Sequence, residues 1–267
     1  MKLIRFESEE GGIFHGAIDA PDASEARLIE GDFPADFSVT TELRSIKKLL
    51  APILPPNILA LGLNYRKHAD ETGIACPDIP VVFLKATSSV IGPDEPIVLP
   101  AAGPDEVDYE VELAIVIAKP AKNVAVDRAG DHILGYTCAN DVSARDWQIK
   151  KQKKQWARGK SFDTFCPIGP WIVTKDELRD PDNVRVQTKI NGELFQDSST
   201  SDMIFGTAAI VSHLSQSMTL LPGTLILTGT PEGVGFTRNP PRFLREGDEV
   251  SVIIEHIGEL NNPVVRE

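Results

Sequence analysis

The sequence predicts an α+β fold, a twisted mixed β-sheet with peripheral helices and a small N-terminal domain. Three observations carry this expectation. Apolar runs of strand length recur along the chain, and only one long segment has helical periodicity. Strands and helices do not alternate as they would in a doubly wound or (β/α)₈ chain.

The elements follow in order. Leu3 to Phe6 is strand-like, and Phe14 to Ile18 forms a second short run after Gly11-Gly12, a hairpin signal. Ser45 to Leu50 is expected to be a short helix. Three prolines in Ala51–Pro56 then break regularity, so residues 1–52 are expected to form the small domain and 53–267 the main one. Ile58 to Leu63 and Val81 to Leu84 are apolar strands. From Val107 to Ile117 the chain alternates strictly: Tyr109, Val111, Leu113, Ile115 and Ile117 face one way, and Asp108, Glu110, Glu112, Ala114 and Val116 the other. Val184 to Ile190, then Asn191-Gly192, then Glu193 to Phe195 predicts a hairpin with a type I′ turn. Thr207 to Met218 is the best helix, with Ile210, Val211, Leu214 and Met218 at helical spacing. Leu225–Leu227 and Val250–Glu255 complete the strands.

Composition excludes several classes. The chain has 267 residues, 42% hydrophobic and 25% charged, with 27 basic and 39 acidic side chains for a net charge of −12. Such a chain lacks the positive surface that nucleic acid or an anionic membrane requires. No apolar run approaches the ~18 residues of a membrane span, and the first residues turn polar too early for a signal peptide. Cys76, Cys138 and Cys166 are far apart and odd in number, which points to a reducing, cytoplasmic location.

The chemistry begins at Glu110 and Glu112. Two residues apart on a strand, they point the same way, and their face continues into apolar Ala114 and Val116. Two carboxylates beside apolar side chains repel each other and lose hydration unless a cation joins them. The plainer alternative is a half-exposed strand end with two solvated glutamates. Asp108 shares the face, so position alone does not say which carboxylates ligate. Asp141, expected at the start of a helical turn, offers a third oxygen. Three carboxylates without histidine suit a hard cation, Mg²⁺ or Mn²⁺ rather than Zn²⁺. Arg145 and Gln148 follow Asp141 at helical spacing and could grip an organic acid; the alternative for Arg145 is a salt bridge to Asp141.

These residues belong to an ordered series: Gly62-Leu63-Asn64-Tyr65 with His68 and Glu71; Lys85 with Ser88-Ser89; Asp108 to Leu113; Asp141, Arg145 and Gln148; Gly159 to Asp163; and Gly229 to Gly235. The series resembles the fumarylacetoacetate hydrolase family from about Pro55 to the C-terminus. It is most similar to the branch of domain-containing proteins of the second subtype. The resemblance implies a mixed β-roll or barrel, a homodimer, and a Mg²⁺ or Mn²⁺ enzyme acting on small oxo-acids. Carried over by motif, Glu110, Glu112 and Asp141 are metal ligands. His68 and Glu71 are an acid/base dyad on a lid helix, and Lys160 lies near the reacting carbonyl. Tyr65, Lys85, Arg145, Gln148 and Thr230 are substrate-binding. Glu232 departs from the proline common in relatives and adds charge beside Thr230.

The implied reactions share an enolate stabilised by the cation. Hydrolysis or decarboxylation of a C–C bond in an acylpyruvate or oxaloacetate is the first expectation. Keto–enol tautomerisation of oxaloacetate is the second, with ureidoglycolate-type lyases and dioate isomerases of the same family behind it. Outside this class stands a non-catalytic metal or oxo-acid binder, against which His68, Glu71 and Lys160 argue. His68 alone could be one of a polar pair on a surface helix. Lys160 could be an acid/base group, a fixed charge or one more lysine of the basic run Lys150, Lys151, Lys153, Lys154 and Arg158. Gly159-Lys160-Ser161 lacks the earlier glycine of a phosphate loop, because Lys154 stands there.

Overall fold

The computed structural model describes all 267 residues. Four antiparallel strands open the chain: β1 (Lys2–Ser8), β2 (Ile13–Ile18), β3 (Glu25–Asp32) and β4 (Asp36–Leu50). They pair in sequence, and β4 returns to β1, so the four close into a small ring. The expected helix at Ser45–Leu50 is therefore the end of β4. Ser45 pairs with Glu25 of β3, and Lys48 to Leu50 pair with β1. Pairing along both edges outweighs the weak local preference for a helix.

After the proline segment come β5 (Ile58–Leu61), helix α1 (Arg66–Thr72), β6 (Val82–Lys85) and the short strands β7 (Val90–Ile91) and β8 (Ile97–Leu99). The alternating segment splits into β9 (Val107–Asp108) and β10 (Val111–Ile117), and β11 (Ile133–Asn140) returns alongside β10. Then follow β12 (Ser143–Ala144), a π-helical turn over Asp146–Lys151, α2 (Trp156–Gly159) and β13 (Cys166–Thr174). The hairpin β14 (Arg185–Ile190) and β15 (Glu193–Ser199) turns at Asn191-Gly192, both at positive φ as a type I′ turn requires. Helix α3 (Thr207–Ser217), β16 (Leu225–Leu227), β17 (Glu249–Ile254) and β18 (Gly258–Arg266) complete the chain. No helix is long and apolar enough to cross a membrane.

The large sheet runs β2-β3-β4-β1-β13-β11-β10-β16-β5-β6, and a second sheet runs β15-β14-β17-β18-β8. Most pairs are antiparallel, while β16 with β5, β18 with β8 and β13 with β7 are parallel. The fold is thus α+β and mixed, rolled but open along β6 rather than closed as a barrel. Strand β10 lies at its centre and is buried on both faces. Val111, Leu113, Ile115 and Ile117 pack into one core, and Ala114 and Val116 into the other. Glu110 and Glu112 precede that second face, which explains why two carboxylates come to lie inside the protein.

Candidate active site

Strand pairing builds the acidic cluster. Asn140 lies opposite Val111 in the β10–β11 register. The pairing extends one step further, where the Asp141 N–H donates to the Glu110 carbonyl at 2.9 Å. Opposite residues of an antiparallel pair share a face, so Asp141 joins Glu110 and Glu112. One oxygen from each lies within 4.8 Å of the others, and all three residues are buried. Burial excludes the alternative of solvated glutamates at a strand end.

The cluster is only partly neutralised. The Lys160 ammonium donates to Glu110 Oε2 (2.8 Å), Asp141 Oδ2 (2.6 Å) and Ser143 Oγ (2.8 Å). Lys85 donates to Asp141 Oδ1 (2.5 Å) and to the Lys160 carbonyl. Arg145 meets Glu110 Oε1 at 2.7 Å and Asp108 Oδ2 at 2.9 Å. Burial pushes the Glu110 carboxyl up, but Lys160 and Arg145 outweigh it and hold the group at about 2. Glu112 goes the other way. Burial first, then the charges of Asp141 and Glu110, push its carboxyl well above the usual range. Its Oε2 accepts the Gly229 N–H at 2.6 Å, while its Oε1 is buried without any partner. A buried oxygen with no partner in a ring of three carboxylates is the donor set that a hard divalent cation fits. Gly229 is needed there: its φ is +96°, and a Cβ would come within 2.7 Å of the Asn64 Cβ.

Asp108, which shared the strand face by sequence, is not part of the ring. The chain breaks between β9 and β10, and its carboxylate accepts from Arg145 Nε, from Gly235 N–H and from Phe236 N–H. It anchors Arg145 instead of ligating. Asp141, Arg145 and Gln148 do not share a helix face. Ser143–Ala144 pairs as a strand with Val107–Asp108, and helical geometry starts only at Arg145, four residues after Asp141. In place of the alternative salt bridge to Asp141, Arg145 pairs with Asp108 and Glu110. Arg145 still donates to Gln148 Oε1 at 2.9 Å, and the Phe236 ring covers its guanidinium at 4.4 Å. Gly159 lets the Lys160 segment close on this turn, because a Cβ would come within 2.6 Å of the Gln148 nitrogen.

A cavity of about 430 Å³ opens over the cluster. Glu110, Arg145, Gln148, Lys160 and Thr230 line it, and so do His68 and Glu71 of α1. His68 Nδ1 lies 3.0 Å from Glu71 Oε2, and Glu71 Oε1 accepts from Gly233 N–H (3.0 Å) and Thr237 Oγ1 (2.8 Å). Burial raises the Glu71 carboxyl, but these donors lower it below its ordinary value. The helix ends at Gly73 and is tied down by Arg66, which donates to the Asp202 and Met203 carbonyls.

Two predicted substrate residues lie elsewhere. Tyr65 is fully buried at the start of α1, its hydroxyl has no partner, and it does not line the cavity. Lys85 is enclosed behind Asp141 and acts on the cluster rather than on the cavity. Glu232 also lies off the cavity wall, 3.7 Å from Lys67. Sequence reasoning missed Gln196. Its amide donates to Thr230 Oγ1 (2.9 Å) and the Pro231 carbonyl, and its Oε1 accepts from Val111 N–H and Thr188 Oγ1. It missed Asn140 too, whose Oδ1 receives the Glu110 N–H at 2.9 Å. Neither stands in a motif; only strand register places them. The basic run is no continuous patch, since Lys150 pairs with Glu106 and Lys151 with Asp146.

Known proteins are similar to this chain in sequence and fold. The family model for the fumarylacetoacetate (FAA) hydrolase C-terminal region matches residues 57–265. The mitochondrial oxaloacetate tautomerase fahd2 of Xenopus laevis is 50% identical over 223 residues, 83% of this chain and 70% of that protein. The human mitochondrial oxaloacetate tautomerase FAHD2A is 47% identical over 223 residues, 83% of this chain and 71% of its own. Among solved structures, a 5-carboxymethyl-2-hydroxymuconate delta-isomerase from Mycobacterium smegmatis superposes with a TM-score of 0.88 at 44% identity. A fumarylacetoacetate hydrolase from Exiguobacterium antarcticum does so with 0.85 at 38%, and both matches cover 100% of each chain. By fold, by sequence and by family model, the chain belongs to the fumarylacetoacetate hydrolase family.

Proposed function

We propose that this enzyme interconverts the keto and enol forms of oxaloacetate, using Mg²⁺ or Mn²⁺ held by Glu110, Glu112 and Asp141. The observation that carries the reading is the unpartnered Glu112 oxygen in a buried acidic ring, under a cavity whose wall also holds the His68–Glu71 pair. A cation in that ring supplies positive charge against the negative charge that builds on the substrate's oxo oxygen. Glu71 accepts from His68 Nδ1 and so orients the ring, which leaves Nε2 to exchange a proton with bound substrate. In the keto-to-enol direction His68 takes the proton from C3 and returns it to the oxo oxygen, so one C–H bond breaks and one O–H bond forms. No water is consumed. Lys160, with its three N–H groups committed, is a fixed charge rather than a proton carrier. Arg145 and Gln148 orient a substrate carboxylate, and Thr230 closes the site as the Gln196 amide holds it.

The sequence by itself ranks hydrolysis or decarboxylation above tautomerisation. The tautomerase names of the relatives support the opposite order, while the hydrolase neighbour keeps the first reaction in view. One assay separates them. Purified protein with Mg²⁺ is given oxaloacetate, acetylpyruvate and fumarylpyruvate. Accelerated decay of enol absorbance without pyruvate release supports tautomerisation, and stoichiometric pyruvate overturns it in favour of C–C cleavage. The proposal includes a homodimer, tested by light scattering, and residues 1–52 as a small N-terminal domain, tested by limited proteolysis. It includes a cytoplasmic location as well, tested by fractionation, although the vertebrate relatives are named mitochondrial.

A further inference from the structure

Three amine or guanidinium cations line the cavity: Arg145, Lys154 and Lys160. Two of them are committed to carboxylates, Arg145 to Asp108 and Glu110, and Lys160 to Glu110 and Asp141. Lys154 makes no ion pair and no hydrogen bond through its ammonium, unlike Lys150 and Lys151 a turn earlier. It lies on an exposed loop where Lys153 and Lys154 both take positive φ, 50° and 64°. Side chains of L-residues adopt that conformation at a cost. Lys153 has the same charge and backbone but does not reach the cavity wall.

Charge balance says what the free cation is for. Four buried carboxylates (Asp108, Glu110, Glu112 and Asp141) face three buried cations (Lys85, Arg145 and Lys160). With all four carboxylates ionised around a divalent ion, the cluster would carry one net positive charge. The carboxylate next to a substrate's oxo group then neutralises the site. For a second carboxylate on the same substrate, Lys154 is the one cation on the cavity wall that no protein carboxylate already holds.

We infer that Lys154 docks the distal carboxylate of the substrate, so that the site selects 2-oxo dicarboxylates over 2-oxo acids with neutral tails. This inference rests on the oxo-acid reading proposed above and narrows its substrate class. The long lysine stem brings the charge from the exposed loop to the ligand.

The test uses the Mg²⁺-loaded protein and two probes. Oxalate occupies the cation end and has no distal carboxylate. 3,3-Difluorooxaloacetate has one but lacks a C3 hydrogen, so it cannot tautomerise, and absence of released CO₂ in the same cell confirms that binding alone is read. In calorimetric titrations, Lys154→Met weakens difluorooxaloacetate about tenfold and leaves oxalate unchanged, as loss of one charge-assisted bond predicts. Lys154→Arg retains the affinity, and Lys153→Met changes neither ligand. The KM for oxaloacetate rises by the same factor in Lys154→Met while kcat holds. Unchanged difluorooxaloacetate affinity, equal weakening of both ligands, or an equal effect of Lys153→Met each overturns the inference. Turnover by the wild type bears on the proposed function alone, because the calorimetric arm needs no reaction.

Discussion

Replacing Glu112 with glutamine has opposite effects on the cation-free and the cation-loaded protein. One oxygen of each ring carboxylate lies within 4.8 Å of the others. Two full charges at that distance repel by about 3.5 kcal/mol at an effective dielectric of 20. This repulsion, added to the larger cost of burial, raises the Glu112 carboxyl in the cation-free protein. Glutamine keeps an oxygen for the Gly229 N–H and puts an amide NH₂ where the unpartnered Oε1 stands, a donor facing Glu110 and Asp141. One added hydrogen bond to a charged group, with no repulsion left, stabilises the cation-free variant by about 1–2 kcal/mol, a melting temperature higher by about 2–8 °C.

The pH dependence has a definite sign. A carboxyl whose folded pKa is raised contributes stability that is fully present below its unfolded pKa, near 4.5, and lost as pH rises through the folded value. The advantage of Glu112→Gln in the absence of cation therefore grows with pH above 4.5. With Mg²⁺ at a hundred times its Kd the wild type gains about 2.7 kcal/mol, and the variant gains almost nothing. Scanning calorimetry in EDTA and in excess Mg²⁺ thus shows the two melting curves exchanging order. A variant less stable than wild type in EDTA, or one with the full Mg²⁺ shift, refutes the reasoning.

Three other outcomes are expected. His68→Ala keeps the Mg²⁺-induced thermal shift but lowers kcat by about 10²–10⁴-fold, the usual worth of a positioned acid/base group; unaltered turnover excludes His68 from proton transfer. Gln196→Leu strips donors and acceptors from Val111, Thr188 and Thr230, so denaturant titration shows a loss of about 2–4 kcal/mol together with a raised KM. His15 is half-buried against Phe33, and burial, reinforced by Arg5, lowers its pKa to about 4. Wild-type stability therefore falls as pH drops from about 6.5 to 4, by less than about 1.4 kcal/mol per pH unit because water screens the partly exposed ring. His15→Gln flattens that slope when the two proteins are compared by urea denaturation across the range.

The sequence by itself determined the elements that depend on local rules. The period-two run ending at Ile117, the Asn191-Gly192 hairpin and the Thr207 helix are all present, because side-chain alternation, positive φ and helical spacing are properties of a few adjacent residues. It also drew attention to Glu110 and Glu112, with Asp141 as a third oxygen, by chemical type and left Asp108 open, while His68 with Glu71 came from the family resemblance. Only the tertiary structure decided the remainder. Strand register set Asp141 opposite Glu110, and a two-residue break in the alternation turned Asp108 away to hold Arg145. Long-range pairing made a strand of Ser45–Leu50 and brought Gln196 to Thr230 across the fold. It also closed Lys85 in behind the acids while leaving Lys154 free on the cavity wall. The physical reason is the same in each case: burial and the charge of distant neighbours fix what a titratable side chain can do, and both exist only once the sheet has formed.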